Sequence, residues 1–246
     1  VLFLSTHVFG DELYKRILVP KGMAIVGTGP TELATQFEGT RARAEWYSDE
    51  TPQRQIEINA FLIDSIEVTN KRYKKIFPEH KYPSNLENHP VVNLMWTQAN
   101  DFCVAVGGRL PTENEWERAA RGNDGNIYPW GDEFDPGKAV FVGSGGAEAK
   151  LKVGSFELEE SGNTLLGGTR PAGSYPGGAS SFGVYDMAGN VWEWVAGYYD
   201  KNNGLRLLKG GSWLTPQASL RSATRLFDFD NSRYNDYGFR CAYNPE

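Results

Sequence analysis

The reactive side chains in this chain of 246 residues are few: two cysteines and three histidines. Cys103 and Cys241 lie far apart in sequence, and that spacing neither proves nor excludes a bridge between them. The alternative is two buried free thiols packed as small hydrophobes. His7, His80 and His89 stand alone, with no His-x-x-x-His or His-x-Glu spacing that would gather a metal. Glu113, Glu115 and Glu117 look like paired carboxylates. They follow Thr112, however, and Glu115 completes a capping box with it, so these acids read as helix-start residues that stabilise the dipole. Arg121, Arg221, Arg225 and Arg240 are expected to pair with loop carboxylates and carbonyls rather than to hold a substrate anion. No nucleophile–base pair stands out, which leaves a Tyr or Glu acid/base in a pocket as the open catalytic route.

The elements that must position these groups fall into two halves. Residues 17–27 read as a bent strand pair, 28–52 as a polar loop, and 54–64 as a strand kinked near Asn59-Ala60. Thr69 is expected to cap a helix running through Lys75, with Tyr73 and Ile76 facing inward. A second helix follows Trp96, with Thr97 as its cap, and Ala99, Phe102, Cys103 and Val106 on one face. It should stop at Gly107-Gly108. The third starts at Thr112 and ends at Gly122. From residue 123 onward short strands dominate, such as 191–194, 206–209 and 239–243. The result is an α+β chain with long irregular loops, read as an N-terminal lead-in or anchor remnant over residues 1–16 and one domain over 17–246.

Composition narrows the function. A net charge of −6 with 25 scattered basic residues gives no electrostatic footprint for nucleic acid. No apolar run reaches the roughly 18–20 residues needed to span a bilayer. With 28 Gly, 13 Pro and 32 aromatic residues (7 Trp, 12 Tyr and 13 Phe), aromatic packing must hold the irregular loops together.

A series of motifs then runs in order along the chain. Asp49-Glu50-Thr51-Pro52 precedes Phe61-Leu62-Ile63-Asp64 and Glu67-Val68-Thr69-Asn70. Gly107-Gly108-Arg109-Leu110-Pro111-Thr112-Glu113 leads into Trp116 and Ala119-Ala120-Arg121-Gly122. Tyr128-Pro129-Trp130-Gly131 is followed by Gly183-Val184-Tyr185-Asp186-Met187-Ala188-Gly189-Asn190-Val191-Trp192-Glu193-Trp194. Lys209-Gly210-Gly211-Ser212-Trp213 and Gly238-Phe239-Arg240-Cys241-Ala242 close the series. Over roughly residues 17–243 the chain resembles the formylglycine-generating enzyme (sulfatase-modifying factor) family. That resemblance implies a loop-rich, C-type-lectin-like fold with little regular secondary structure.

The resemblance also sets expectations for the sites. The family's enzymes oxidise a substrate cysteine to an aldehyde with a copper(I)-binding cysteine pair shortly after Gly-Gly-Ser. Here that stretch reads Leu214-Thr215-Pro216-Gln217-Ala218-Ser219-Leu220 and holds no sulfur. Copper(I) needs soft thiolate ligands, so no copper and no formylglycine-generating activity are expected, and no catalytic residue is assigned. Cys103 and Cys241 match positions that family members join as a structural disulfide, which would place the protein outside the cytosol, in the periplasm or at the cell surface. Asp186, Gly189, Val191 and Glu193 match a family calcium loop of side-chain and carbonyl oxygens. A second family calcium site lacks its side-chain oxygen near Ala139.

The functional expectation is a non-catalytic, extracytoplasmic binding or structural module, serving a protein partner or a membrane-associated assembly. Its expected partner face comprises Thr215, Gln217, Leu226, Phe227, Phe229, Arg233, Tyr234 and Tyr237, a mixture suited to protein recognition. The competing reading is a periplasmic maturation enzyme with cysteine-independent chemistry.

Overall fold

The computed structural model describes residues 14–30, 43–142 and 168–245. The N-terminal lead-in expected over residues 1–16 therefore lies mostly outside the described residues. Its last part is tied to the fold: Lys15 N–H donates to Ser65 Oγ at 2.8 Å, and Arg72 donates to the Tyr14 hydroxyl at 2.7 Å.

The strands are β1 (Arg16–Val19), β2 (Gly22–Val26), β3 (Arg54–Ile58), β4 (Phe61–Asp64), β5 (Trp192–Trp194), β6 (Leu205–Lys209), β7 (Arg225–Phe229), β8 (Tyr237–Gly238) and β9 (Ala242–Tyr243). They form three small sheets in the orders β1-β4-β9, β2-β3 and β7-β6-β5-β8. The expected strand pair over 17–27 is corrected here. β1 pairs with β4 and β2 with β3, because the corner at Pro20-Lys21 sends the chain from one sheet to another. The kink after Ile58 falls where the sequence placed it, between β3 and β4.

Among the described residues, three α-helices precede the late sheet. In α1 (Asn70–Ile76) Thr69 is the cap, its hydroxyl accepting from Arg72 N–H at 3.2 Å. Ile76 is exposed, contrary to expectation, because the helix ends there and Phe77 turns inward onto Tyr73, ring centroids 4.9 Å apart. In α2 (Trp96–Ala105) the cap is Met95 rather than Thr97. Gln98 Oε1 accepts from Met95 N–H at 3.1 Å and the helix starts two residues earlier than expected. In α3 (Glu113–Arg121) the Thr112/Glu115 capping box is formed, and Gly122 leaves the helix at a φ of 71°.

Two large buried clusters make most of the core among the described residues. One gathers Tyr73, Phe102, Trp194 and Phe239 around the Cys103–Cys241 disulfide, which joins α2 to the end of the chain. The other packs Trp116 and Ala119 of α3 against Val26, Ile63 and Leu207 from all three sheets. The disulfide settles the choice between bridge and free thiols, and no cysteine remains free.

Candidate functional site

The segment after β6 is a tightly anchored turn. Lys209 is fully buried, and its ammonium donates to Glu117 Oε2 at 3.1 Å and to the Ala223 carbonyl at 2.9 Å. Gly211 takes a φ of 75°, and a side chain there would meet the Ser219 carbonyl at 2.8 Å. Ser212 N–H donates to Thr215 Oγ1 at 2.8 Å, and the Thr215 hydroxyl donates back to the Ser212 carbonyl at 2.9 Å. Thr215 therefore staples the turn instead of presenting itself outward. Ser212 Oγ donates to Asp236 Oδ2 at 2.7 Å, and burial raises the Asp236 pKa. At the far end Arg221 forms a buried two-pronged pair with Glu50, at 2.6 and 2.7 Å. Between these anchors the segment carries no thiol, so it offers no soft ligand for copper(I).

Beyond Arg221 the chain enters β7, an edge strand of the four-stranded sheet. Phe227 and Phe229 are 45% and 57% exposed, and Tyr234 in the next turn is 51% exposed. Phe227 stacks on Tyr199 at 4.2 Å, which holds the ring in place. Gln217 and Arg233 are exposed, and Leu226 is half-buried against the core. Tyr237 departs from the expected face. It is 7% exposed, packs edge-on to Trp194 at 5.4 Å, and donates to Asp228 at 3.1 Å. Its ring belongs to the core, and Asp228, which also accepts from Ser232 Oγ at 2.6 Å, shapes the turn carrying Tyr234.

The loop expected to hold calcium contains two left-handed non-glycine residues, Asp186 at φ 56° and Asn190 at φ 62°. Gly189 lies between them at φ 82°, where any side chain would strike the Val140 carbonyl at 2.2 Å. Asp186 Oδ2 accepts from Gly173 N–H at 2.5 Å. Glu193 sits apart from that oxygen's role. Both of its oxygens accept from Arg240, at 2.7 and 2.6 Å, and Trp116 Nε1 adds a third donor at 2.7 Å.

Glu67, which no site assignment included, is the acid that faces Asp186. It is fully buried; Oε2 accepts from Asn190 Nδ2 at 3.2 Å, and its carboxyl shares a side-chain hydrogen bond with Asp186. Burial first, and then the Asp186 charge, hold the Glu67 carboxyl well above the usual carboxylate range. Asp186 is raised as well, chiefly by burial. Two buried acids that face each other suit a hard cation. No group of three or more His, Cys, Asp or Glu placed for a metal occurs among the described residues, so carbonyl oxygens must supply the rest of any shell. Glu67 was visible in the Glu67-Val68-Thr69-Asn70 motif, but its burial had no local signature.

The arginines pair with carboxylates, as expected, but these lie on α3 and β5 rather than on loops. Arg121 pairs with Glu117 at 3.1 Å, Arg225 with Glu113 at 2.8 Å and Arg240 with Glu193 at 2.6 Å. Of the three α3 acids, Glu115 serves the cap, but Glu117 does more: it is buried, and Lys209 and Arg121 outweigh its desolvation to lower its pKa.

With this geometry in view, comparison with known proteins is specific. The model of the sulfatase-modifying factor enzyme 1-like domain (FGE-sulfatase) matches residues 11–245. The inactive C-alpha-formylglycine-generating enzyme 2 of Bos taurus is 28% identical over 281 residues, covering 88% of this chain and 90% of that protein. Among solved structures, Treponema denticola variable protein 1 matches with a TM-score of 0.70 at 18% identity, covering 94% of this chain and 95% of that one. PvdO from Pseudomonas aeruginosa matches with a TM-score of 0.69 at 23% identity, covering 94% of each. The fold is thus the α+β, loop-rich, C-type-lectin-like type of these proteins.

Proposed function

The chain belongs to the sulfatase-modifying factor enzyme 1-like family and lacks its catalytic cysteine pair, and on that premise we propose that it is an extracytoplasmic module that binds a protein partner. A non-catalytic role agrees with the likeness to an inactive formylglycine-generating enzyme. The observation that carries the finer reading is the pairing of a sulfur-free, rigidly stapled segment with the exposed rings of Phe227, Phe229 and Tyr234 on an edge strand and its following turn. Ordered aromatic rings give large contact area at little entropic cost, and Arg233 and Gln217 would furnish a polar rim. Thr215 and Tyr237 support this face from within. The disulfide suits an oxidising compartment.

Calcium belongs to this reading as a structural ion. Asp186 and the carbonyls of Gly189 and Val191 would hold it, with Glu67 as the added carboxylate and Glu193 kept mainly for Arg240. The ion would supply only charge balance and rigidity to the loop beside Asn190.

The test is affinity capture from native membranes with mass spectrometry, run in parallel with a Phe227→Ser/Phe229→Ser variant. The reading expects one protein to be recovered by the parent and lost by the variant, at unchanged thermal stability. Equal recovery by both would overturn it.

A further inference from the structure

A cavity of about 340 Å³ borders the anchors of the stapled segment, between the 3₁₀ turn Ala44–Glu50, the end of β2, the first turns of α3 and the start of β7. Its volume is at the lower end for small-molecule sites. Its walls are polar, and the state of their hydrogen bonding indicates what could enter.

Every carboxylate on the wall already has a cation. Glu50 is held by Arg221 at 2.6 Å and also accepts from Thr28 Oγ1 at 2.9 Å. Glu117 is held by both Arg121 and Lys209, each at 3.1 Å, and accepts from Gly27 N–H at 2.6 Å. Arg225 serves Glu113 at 2.8 Å and Asp49 at 3.6 Å, and donates to the Asp49 carbonyl at 3.0 Å. Arg54, by contrast, lines the cavity with no carboxylate partner among the described residues, and the Asn114 side-chain amide makes no hydrogen bond there. The unpaired donors on the wall are the Arg54 guanidinium and the Asn114 amide N–H groups. Counting the paired cations behind the wall, the site carries one positive charge in excess, that of Arg54.

We propose that this cavity binds a small organic carboxylate, its two oxygens taken by the planar guanidinium of Arg54 and an adjacent acceptor by the Asn114 amide. A guanidinium matches a carboxylate in two-pronged geometry. A single excess charge favours a monoanion over phosphate, whose second charge would face Asp49 and Glu113 without compensation. Asp49, Glu50, Glu113 and Glu117 together would repel any ligand with more negative charge than Arg54 can meet.

The test uses N-acetylglycine as probe, N-acetylglycinamide as its uncharged counterpart and inorganic phosphate as the competing oxyanion, at constant ionic strength. Binding is read by titration calorimetry and by protein NMR shifts. The expected result is saturable binding of N-acetylglycine, affinity lower by about tenfold or more for the amide and for phosphate, and a similar loss in Arg54→Gln. Lys21→Gln removes an equal charge from the exposed Lys21–Glu57 pair at the other end of the β2-β3 sheet, and should leave binding unchanged. Absence of saturable binding by the parent, equal affinity in Arg54→Gln, or equal binding of phosphate would each overturn the proposal.

Discussion

Replacing Glu50 by Gln isolates the anchor that holds the sulfur-free segment in place. Glu50 and Arg221 are 4% and 2% exposed, and their two parallel hydrogen bonds at 2.6 and 2.7 Å join the 3₁₀ turn Ala44–Glu50 to the residue that ends the segment. Gln keeps the shape and one acceptor, but takes the Glu50 charge away from the buried Arg221 guanidinium. Removing one member of a buried pair costs about 3–5 kcal/mol. In a domain of this size each kcal/mol lowers the melting temperature by roughly 2–4 °C, so Glu50→Gln should melt about 6–20 °C lower. The paired substitution Glu50→Leu/Arg221→Met removes both charges and should recover most of the loss, because no ion is then stranded. Urea titration followed by fluorescence and by circular dichroism gives both free energies and checks that unfolding is two-state. Amide exchange over residues 214–220 should speed up in the single variant, since Arg221 also donates to the Ala218 carbonyl at 3.1 Å. A loss below about 1 kcal/mol in the single variant, or a double variant costing the sum of its singles, would show that the pair does not hold the segment.

Three further outcomes follow from the same geometry. Incubation with copper(I), oxygen and a cysteine-containing peptide should yield no aldehyde by mass spectrometry, since residues 214–220 contain no thiolate; any aldehyde formed above a copper-only control refutes the loss of chemistry. Cys103→Ala/Cys241→Ala should lose about 3–5 kcal/mol in denaturant titration, given a closed loop of 138 residues, and a neutral effect would mean the bridge adds little to the packed core around it. Burial first, and Arg170 second, lower the His89 pKa to about 4, so folded His89 stays neutral where the unfolded chain takes up a proton. Stability should therefore be complete above the ordinary histidine value near 6.5 and be lost as pH falls from there towards 4. A His89→Gln variant should flatten that part of the profile, and an unchanged slope would refute the assignment.

The local elements were legible because short-range rules govern them. Thr112 with Glu115 announces a helix start, Gly122 its end, and the alternation over 54–64 a kinked strand, which the structure divides into β3 and β4 of two different sheets. Errors arose where a neighbour in space overrode the local signal. Met95 caps α2 because Gln98 folds back on it, and Ile76 lies outside because Phe77 found a better ring to pack against. The face over 226–237 could be delimited from composition, but not sorted: nothing in the sequence separates Tyr237, which fills the core beside Trp194, from Tyr234, which faces solvent.

The charged interior was the least legible layer, because its pairs span the chain. Glu50 meets Arg221 across 171 positions, and Lys209 meets Glu117 across 92. No periodicity links residues that far apart, and each acid alone reads as a solvated side chain. Such pairs contribute little net stability compared with apolar packing, but a wrong arrangement strands a buried charge at several kcal/mol. They therefore penalise alternative loop arrangements more than they stabilise the native one. In a chain with so little regular secondary structure, that penalty accounts for how long loops keep one conformation. The loss of the catalytic thiols leaves it intact: Arg221, Lys209 and Arg240 bracket the sulfur-free segment and the loop containing Asp186, and none of them needs sulfur to hold its partner.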